Sequence, residues 1–509
     1  GMMGLPDWAV QAMSVLTQIF ILALGVLALI ALVFFVIDRT QTSDAIRRNY
    51  PVVGRFRGLF TTLGEFFRQY FFAMDREELP FNRAEREWVY RSARGEGGTV
   101  PFGSTKPLTP VGTAIFANSA FPPLDDHAAA TQALRIGPTA RQPYDAPSFF
   151  NISGMSYGAL SKPAVRALSR GAGKAGIWMN TGEGGLTEMH LDGGCDIVFQ
   201  IGTAKYGVRN ALGGFSEEKL REVAAIPQVK MFELKLSQGA KPGKGGILPA
   251  EKVTEEIAAI RGIPAGQASI SPNRHPEVAN TEDLLDMIAH LREVTGKPVG
   301  FKACIGAYGW LEELCLKIKQ RGVDSAPDFF TIDSGDGGTG AAPMALMDNV
   351  GLPIRESLPI AVTILERHGL RGRIRIIASG KLLTPGSVAW ALAAGADFIQ
   401  CGRGFMFALG CIQAMKCHKN TCPTGVTTHD KRLQRGLVVT EKSEKVAHYA
   451  NTVREHVEII AHSCGVAEPR LLRRKHVRLV QANGRSIPMT AIDYMPPSEG
   501  EPPELPAQH

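Results

Sequence analysis

Aromatic residues are scarce in this chain, and dense runs of one charge are missing. Phe, Trp and Tyr make up 7% of the 509 residues, whereas 55 residues are glycine. This balance fits an α/β protein with many glycine-rich turns after its strands. The formal net charge of +7 is spread along the chain, with no Lys/Arg tract interleaved with aromatic side chains. We therefore expect no nucleic-acid partner.

Cysteine is sparse as well, and its distribution is uneven. The chain has eight cysteines, and none precedes Cys195. Three of them, Cys411, Cys417 and Cys422, follow a C-x5-C-x4-C spacing that is closed by Pro423. Three thiolates on one loop fit an iron–sulfur cluster better than structural zinc, which usually shows paired C-x2–4-C knuckles and a fourth ligand. The alternative is three buried structural cysteines. A disulfide is disfavoured because one thiol would be left over, and a reducing compartment is expected.

Charge is missing altogether from one stretch near the N-terminus. No charged residue occurs from Ala9 to Ile37, a length that exceeds the roughly 20 residues a helix needs to cross a bilayer. A cleaved signal peptide is disfavoured because no basic segment precedes the stretch and no A-x-A-like site follows it. By the positive-inside rule, we expect a single membrane-spanning helix with the main body in the cytoplasm. The basic residues that follow it are Arg39, Arg47, Arg48, Arg55 and Arg57.

From Phe149 onward, short apolar runs that end in glycine or a polar residue alternate with helix-length stretches. Such alternation predicts parallel βα units, and about eight repeats in roughly 260 residues fit a closed (β/α)8 TIM barrel better than an open doubly wound sheet. The candidate strands are 149–156, 177–185, 197–202, 231–239, 268–272, 298–306, 328–338, 374–380 and 397–404. The candidate helices are 161–173, 281–295, 309–321, 354–368 and 385–394. Nine strands are one too many, so we expect that one lies outside the barrel or is not a strand.

The segments around the barrel have distinct compositions. Residues 56–73 are rich in aromatic side chains and arginine, and could lie on the membrane surface or pack on the barrel. Residues 80–147 are dense in proline, glycine and arginine, which indicates an irregular segment that wraps the catalytic body. From Glu441, apolar spacing predicts a long helix packed on the body, and the Pro/Glu-rich residues 496–509 are expected to be disordered. The expected divisions are 9–37 for the membrane helix, 38–145 for the juxtamembrane and wrapping segment, 146–440 for the barrel and 441–509 for the C-terminal helix and tail.

Glycine-rich turns follow the last three predicted strands, at 334–340, 379–381 and 402–404. The backbone amides of such turns, and the guanidinium of Arg403, can hold a phosphate. TIM barrels often bind phosphate at the loops after strands seven and eight. A phosphate site directly before an iron–sulfur loop indicates a phosphorylated redox cofactor, and flavin mononucleotide (FMN) fits this description.

Another predicted strand ends in KLSQGAKPGKGG (235–246), which delivers Lys235, Gln238 and Lys241 onto a glycine-rich loop. A lysine near the flavin N1/C2 carbonyl stabilises the anionic reduced ring, and further cations hold carboxylates. The alternative is a solvated basic loop. Arg261 ends a predicted helix and fits either a second carboxylate clamp or an ordinary helix-end cation.

Six segments occur in the order found in the FMN domain of the glutamate synthase family, and the chain resembles that family over roughly residues 151–430. Within this family, the chain resembles the stand-alone, membrane-anchored members. The segments are GMSYGALS (154–161), NTGEGG (180–185), KLSQGAKPGKGG (235–246), ISP (270–272), SGDGGTGAAP (334–343) and GCIQAMKCHKNTCPTGV (410–426).

The resemblance implies an oxidoreductase acting on CH-NH2 groups in glutamate biosynthesis. Reduced FMN would convert 2-oxoglutarate and ammonia, through 2-iminoglutarate, to L-glutamate. The resemblance implies a [3Fe–4S] cluster on Cys411, Cys417 and Cys422, fed by a donor such as ferredoxin or a reductase subunit. The residues implied to bind 2-oxoglutarate are Glu183, Lys241 and Arg261. Those implied to bind FMN are Met155, Ser156, Gly158, Lys235, Gln238, Gly337, Gly338, Gly380, Gly402 and Arg403.

The chain departs from the family pattern in two places. Ile247 stands where the family has a glutamine that contacts 2-oxoglutarate. No glutaminase domain with an N-terminal cysteine is present in the sequence, so ammonia is expected from a separate subunit or source. Two alternatives follow. One is an enzyme with the same cofactors that acts on another amine or oxo acid, as in N-methylglutamate synthase. The other is a membrane-anchored electron-transfer subunit without turnover.

Overall fold

Gly4 and residues 6–494 are described by a computed structural model. The expected disorder of residues 496–509 concerns a segment outside these residues. The chain divides into two units, Gly1–Ala84 and Glu85–His509. The larger unit carries every residue that is predicted from the sequence to lie at the cofactor or substrate site.

The N-terminal unit is dominated by helix α1 (Asp7–Thr40), whose apolar side chains are exposed along nearly its whole length. At 1.5 Å per residue its 34 residues extend about 50 Å, more than the roughly 30 Å of a bilayer core. Among the described residues it is the one helix long and apolar enough, by length and composition, to cross a membrane. The uncharged stretch from Ala9 to Ile37 lies entirely within it.

The buried carboxylate of Asp38 joins the end of α1 to the chain that follows. It forms ion pairs of 2.7 Å with both Arg47 and Arg55. Arg47 lies within the short helix α2 (Ala45–Asn49), and Arg55 is the first residue of α3 (Arg55–Phe67), which continues as a π-helical turn over Arg68–Phe72. The large exposed side chains of this last segment are Phe56, Leu59, Phe60, Leu63, Phe66, Phe67, Tyr70, Phe71 and Phe72.

Eight parallel strands of the larger unit close into a barrel, in the order β10-β11-β12-β13-β4-β5-β6-β7. The predicted TIM barrel is thus confirmed. Its strands are β4 (Phe150–Ile152), β5 (Met179–Asn180), β6 (Ile197–Ile201), β7 (Val229–Lys235), β10 (Val299–Cys304), β11 (Phe329–Asp333), β12 (Arg375–Ser379) and β13 (Phe398–Cys401). The strands outside the barrel are β1 (Ala114–Phe116), β2 (Leu134–Ile136), β3 (Tyr144–Ala146), β8 (Ile247–Leu248), β9 (Ser269–Ile270), β14 (Val477–Val480) and β15 (Ser486–Pro488).

The helices of this unit alternate with the strands as the sequence predicts. Helices α9 and α10 have the predicted bounds, because each begins after a polar or glycine-rich turn and ends at glycine. The helices are α4 (Arg83–Ala93), α5 (Lys162–Ala175), α6 (Glu188–Leu191), α7 (Glu217–Ala224), α8 (Glu255–Arg261), α9 (Thr281–Thr295), α10 (Gly309–Arg321), α11 (Met344–Met347), α12 (Ile354–Arg367), α13 (Pro385–Ala394), α14 (Arg403–Ala408), α15 (Lys431–Gln434) and α16 (Val439–Ser463).

The surplus ninth strand is the segment 268–272. Its central part, β9, pairs antiparallel with β8 in a separate two-stranded sheet. Both short strands belong to the long excursion between β7 and β10, which are themselves paired in the barrel. Ile270 of β9 is exposed, so this segment lacks the two covered faces that a barrel strand requires.

The amino end of the barrel is filled by a hydrophobic cluster. Trp178, Phe329 and Phe398 lie at or next to the first residues of their strands, and they pack with Ile136 and Tyr144 of the β2–β3 hairpin. Part of the segment 80–147, predicted to be irregular, therefore forms a regular hairpin against the barrel. Filling this end with apolar side chains leaves the carboxyl ends of the strands as the functional face.

The C-terminal extension is helical, as predicted, and packs on the barrel. Helix α16 begins at Val439 and lies against α5, with Val446 and Tyr449 fully buried. Contact is close because residue 171 of α5 is glycine: a Cβ there would lie 2.4 Å from a methyl carbon of Val446. After the helix, β14 and β15 form an antiparallel sheet with β1, which the sequence analysis did not predict.

Candidate active site

The loops after β11 and β12 meet at the carboxyl end of the barrel. The backbone N–H of Ser334 donates to the carbonyl of Ser379 at 2.8 Å. A Cβ on Gly337 would lie 3.7 Å from the Cα of Gly380. Gly380 has a φ of +105°, a conformation that favours glycine. The two predicted cofactor glycines Gly337 and Gly380 are therefore neighbours in space.

The loops after β4 and β13 join the same place. The hydroxyl oxygens of Ser153 and Ser379 are 3.4 Å apart. A Cβ on Gly402 would come no closer than 3.7 Å to any atom, the nearest being the sulfur of Met155. Gly402 and Met155 thus lie side by side at about van der Waals distance. Together with Gly337 and Gly380 they form one site, which we call the glycine cradle.

Arg403 connects the glycine cradle to the loop that carries Cys411, Cys417 and Cys422, which we call the cysteine loop. A Cβ on Gly338 would lie 2.6 Å from Arg403 Nε, so the guanidinium lies directly over this glycine. The guanidinium donates to the carbonyl of Thr339, and its Nη1 is 3.9 Å from Cys417 Sγ. The arginine predicted to hold phosphate therefore also lies beside a predicted iron ligand.

The lysine-rich loop after β7 brings three predicted site residues together. Lys235 is the last residue of β7, and its Nζ lies 3.2 Å from Glu183 Oε2. The same Nζ donates to the amide oxygen of Gln238. Gln238 Nε2 in turn donates to the hydroxyl of Thr339 at 3.3 Å. This chain of contacts links the loop after β5, the lysine loop and the glycine cradle.

Glu183 is held in a slot between two glycines. A Cβ on Gly246 would lie 1.7 Å from Glu183 Oε1, and one on Gly202 would lie 2.7 Å from Oε2. Any other residue at position 246 would displace the carboxylate. Burial pushes the pKa of Glu183 up, but Lys235, Lys241 and Arg261 outweigh burial and lower the pKa overall. Glu183 is therefore an ionised carboxylate.

Cations outnumber carboxylates around Glu183. Burial, followed by the charges of Lys235 and Lys302, lowers the pKa of Lys241 to about 8. Lys241 Nζ donates to the carbonyl of Ala341 at 3.0 Å, and Lys302 is paired in register with Lys235 on the adjacent strand β10. The four cations, which we call the cation cluster, are Lys235, Lys241, Arg261 and Lys302. Such an excess of buried positive charge suits an anionic ligand.

Arg261 ends helix α8 but does not extend into solvent. Its side chain is buried, and its Nη2 lies 3.4 Å from the carbonyl of Tyr157. The guanidinium lies 5.0 Å above the ring of Tyr206, and its Nε is buried without a hydrogen-bond partner among the described residues. The burial of Arg261 argues against an ordinary cation at a helix end, and it favours the interpretation that Arg261 clamps a carboxylate.

Ile247 directly follows the glycine slot. It begins β8, is partly buried, and pairs with Ile270. Because a Cβ on Gly246 would lie 1.7 Å from Glu183 Oε1, Ile247 directly follows a residue that lies against this carboxylate. An apolar side chain occupies this position, as the sequence indicates.

Two features of the site were missed from the sequence. The first is Lys302, which lies inside a predicted strand. A single lysine within the sequence GFKAC (300–304) was the one indication that this strand contributes a cation. The second feature is a polar network beneath the cradle, built on the buried carboxylate of Glu233 in β7. Glu233 accepts hydrogen bonds from Asn180 at 3.0 Å, Gln200 at 2.8 Å and Thr331 at 2.7 Å. These contacts join four strands and hold their carboxyl ends in register.

The cysteine loop carries three free thiols: Cys422 is buried, whereas Cys411 and Cys417 are partly exposed. Among the described residues, no three His, Cys, Asp or Glu side chains are grouped closely enough to hold a metal ion. Cys411 nevertheless lies within electrostatic range of Cys417, Cys422 and Arg403. Three neighbouring thiols beside a cation are a donor set that fits an iron–sulfur cluster. The glycine cradle, with Lys235 next to it, likewise fits a flavin phosphate and ring.

The chain is similar to one protein family and to several known proteins. Residues 127–467 match the family described as a conserved region in glutamate synthase. The glutamate synthase large subunit-like protein YerD of Bacillus subtilis is 39% identical over 516 residues, covering 93% of this chain and 98% of the relative. An archaeal glutamate synthase (NADPH) of Methanocaldococcus jannaschii is 34% identical, covering 67% of this chain and 64% of that protein. A crystal structure of mandelate oxidase with (S)-4-hydroxymandelic acid is 16% identical, with a TM-score of 0.46, covering 78% of this chain and 99% of that one.

Proposed function

This chain belongs to the glutamate synthase family, and we propose that it is an FMN-dependent iron–sulfur oxidoreductase acting on CH-NH2 groups. In this proposal it reductively aminates 2-oxoglutarate, through 2-iminoglutarate, to L-glutamate. The observation that carries the proposal is the cation cluster, which surrounds a single ionised glutamate next to the glycine cradle. A buried site of this charge fits a dianionic oxo acid and an anionic reduced flavin.

The FMN site of the proposal is the glycine cradle. The phosphate would lie against Gly337, Gly380, Gly402 and the guanidinium of Arg403, where small residues allow close approach of the backbone. Lys235, at the end of β7, would meet the flavin ring through its buried ammonium. The bound cofactors would supply a hydride at the flavin and electrons through a [3Fe–4S] cluster on the cysteine loop. The remaining proposed contacts are Met155, Ser156, Gly158, Gln238 and Gly338.

Substrate binding in the proposal falls to Lys241 and Arg261, each of which would neutralise one carboxylate of 2-oxoglutarate. Arg261 still has a buried donor, Nε, without a partner among the described residues. Glu183 would accept a hydrogen bond from the nitrogen that is added to the substrate, since its carboxylate is ionised. The burial of Lys241 and Arg261 would exclude water from the imine, which water would otherwise hydrolyse.

Electrons and nitrogen would come from other molecules. The partly exposed Cys411 and Cys417 leave a route to a donor such as ferredoxin or a reductase subunit. Ammonia would come from free ammonium or a separate ammonia-supplying subunit. The proposal needs neither a dinucleotide domain nor a glutaminase domain on this chain.

The direct test of this function is anaerobic reoxidation of the reduced protein. The full chain is purified in detergent, its flavin and iron–sulfur absorbance are recorded, and both centres are reduced chemically. Addition of 2-oxoglutarate with ammonium should reoxidise the flavin and yield stoichiometric L-glutamate. A flavin that stays reduced would refute 2-oxoglutarate as the oxo acid. Electron passage to an added acceptor without consumption of any oxo acid would instead favour an electron-transfer subunit.

Ile247 favours a second candidate, in which the same cofactors act on another amine or oxo acid, as in N-methylglutamate synthase. An apolar residue directly after Gly246, which lies against Glu183, removes a polar partner that a dicarboxylate or ammonia could use. If this candidate is right, Ile247→Gln should raise kcat/KM for 2-oxoglutarate and ammonium about tenfold, the value of one hydrogen bond of roughly 1.4 kcal/mol. An unchanged or lower kcat/KM would count against a substrate switch at this residue. Ile270→Gln, on the exposed partner strand, is the matched control.

We further propose that α1 anchors the protein as a single-pass membrane helix, with the barrel in the cytoplasm. The protein should remain in the membrane fraction after an alkaline carbonate wash, and deletion of residues 9–37 should release it. Protease added to intact spheroplasts should leave the barrel uncut, whereas lysis should make it accessible. Digestion of the barrel in intact spheroplasts would refute this orientation.

A further inference from the structure

Lys252 is a buried lysine to which the proposed reaction assigns no role. It ends a 3-10 turn (Ala250–Lys252) that connects β8 to α8, and 2% of the residue is exposed. Its Nζ donates to the carbonyl of Ala159 at 2.5 Å and to the carbonyl of Cys417 at 3.0 Å. The first carbonyl belongs to the loop after β4 that borders the glycine cradle, and the second belongs to a predicted iron ligand.

Neighbouring contacts reinforce the same junction. Asn420, between the second and third cysteines, donates through Nδ2 to the carbonyl of Glu251 at 3.2 Å. His429, at the end of the cysteine loop, contacts the carbonyl of Gly158 through Nε2 at 2.7 Å. The turn at Lys252 therefore lies between the loop after β4 and the cysteine loop, and it contacts both.

The charge of Lys252 requires compensation. A buried ammonium is costly unless negative charge lies close to it. The hydrogen bonds described for its Nζ go to two neutral carbonyls, and the other charged groups that act on it include the cations Arg261 and Arg403. The thiols of Cys417 and Cys422 lie within electrostatic range of the ammonium and are placed where negative charge would balance it. A thiolate-ligated cluster would supply that charge permanently.

We propose that Lys252 is a positioning residue that links the cysteine loop to the loop after β4, and that it raises the reduction potential of the iron–sulfur cluster. This inference rests on the proposed function. Reduction would add one electron to the cluster, and the buried ammonium, 3.0 Å from the carbonyl of Cys417, would favour the more negative, reduced state. The electron comes from the external one-electron donor, and no proton transfer at Lys252 is involved. The same ammonium holds the carbonyls of Ala159 and Cys417 together, and would thereby help to position the cluster relative to the flavin.

The test is a redox titration of the cluster, monitored by EPR, on the full chain in detergent. Lys252→Met removes the charge, Lys252→Arg retains it, and Lys416→Met removes an exposed lysine next to Cys417. We expect Lys252→Met to lower the equilibrium constant for one-electron reduction at least tenfold, or about 59 mV. Lys252→Arg and Lys416→Met should stay near the unaltered protein, since the charge is kept in the first and screened by water in the second.

Each outcome of the titration decides the proposal. A potential in Lys252→Met that equals that of Lys416→Met, with iron content unchanged, would overturn it. If Lys252→Met binds no iron, Lys252→Gln replaces it in the same comparison, because glutamine keeps a donor for the carbonyls but carries no charge. An unaltered protein that holds flavin but no iron–sulfur signal would refute the proposed cluster itself, and this inference with it. A normal cluster with an unshifted potential refutes only the role of Lys252.

Discussion

Replacement of Lys241 by methionine should weaken the binding of 2-oxoglutarate about 10- to 100-fold while the flavin stays bound. Lys241 is buried in the cation cluster, where a charge-assisted hydrogen bond to a ligand is worth roughly 1.5–3 kcal/mol. Methionine preserves the length and apolar stem of the side chain, so the glycine cradle should be unaffected. The measurement is KM for 2-oxoglutarate in anaerobic turnover, with flavin content determined by absorbance.

The lysine loop provides a matched control for this variant. Lys244 lies three residues further along the same loop and is exposed. Lys244→Met removes the same charge at a solvent-exposed position. Because solvent screens this charge, its loss should cost little binding energy, and KM should change less than twofold. Equal KM values for the two variants would contradict the assignment of Lys241 to the substrate.

The pH dependence of substrate binding should follow the same residue. The pKa of Lys241 is lowered to about 8, first by burial and then by Lys235 and Lys302, against the opposing effect of Glu183. Below this pH the ammonium is charged and binds the carboxylate, and above it the charge is lost. KM for 2-oxoglutarate should therefore rise as pH increases through about 8, and this rise should be absent in Lys241→Met.

Cys422→Ser should abolish the iron–sulfur cluster and, with it, turnover driven by a one-electron donor. A serine hydroxyl is a poor replacement for a thiolate ligand, and a three-iron cluster bound by three cysteines has no spare protein ligand. Iron and acid-labile sulfide should fall to background, while the flavin absorbance remains. Chemically reduced flavin in this variant should still reoxidise with substrate, since that step needs only the glycine cradle and cation cluster.

Cys464→Ser is the matched control, because Cys464 is equally buried but lies after helix α16, outside the cysteine loop. Its iron and sulfide content should equal that of the unaltered protein. Full cluster content in Cys422→Ser would show that this thiol is not a ligand. Loss of iron in both variants would indicate general instability and would remove the support for a site on the loop.

The sequence alone was sufficient to predict the parts of this protein that depend on local pattern. The alternation of apolar runs with helix-length stretches predicted the barrel, because strand and helix periodicity are properties of neighbouring residues. The uncharged stretch from Ala9 to Ile37 predicted the long N-terminal helix for the same reason. The order of the glycine turns, the lysine loop and the cysteine spacing also predicted which loops would meet, since parallel barrel strands bring their carboxyl ends to one face.

Other features depend on contacts between residues distant in sequence, and the tertiary structure alone decided them. Strand β9 has the composition of a barrel strand, yet it lies outside because β7 pairs directly with β10. Arg261 could have been a solvent-exposed helix end, and only packing against Tyr157 and Tyr206 buries its charge.

Lys302 and Lys252 are the clearest examples of this limit. Each is a single lysine in an unremarkable segment, and its role follows from what the fold places beside it: Lys235 in one case, and the carbonyls of Ala159 and Cys417 in the other. Burial and partner choice set the electrostatic environment of a charge, and both are properties of the folded chain rather than of local sequence.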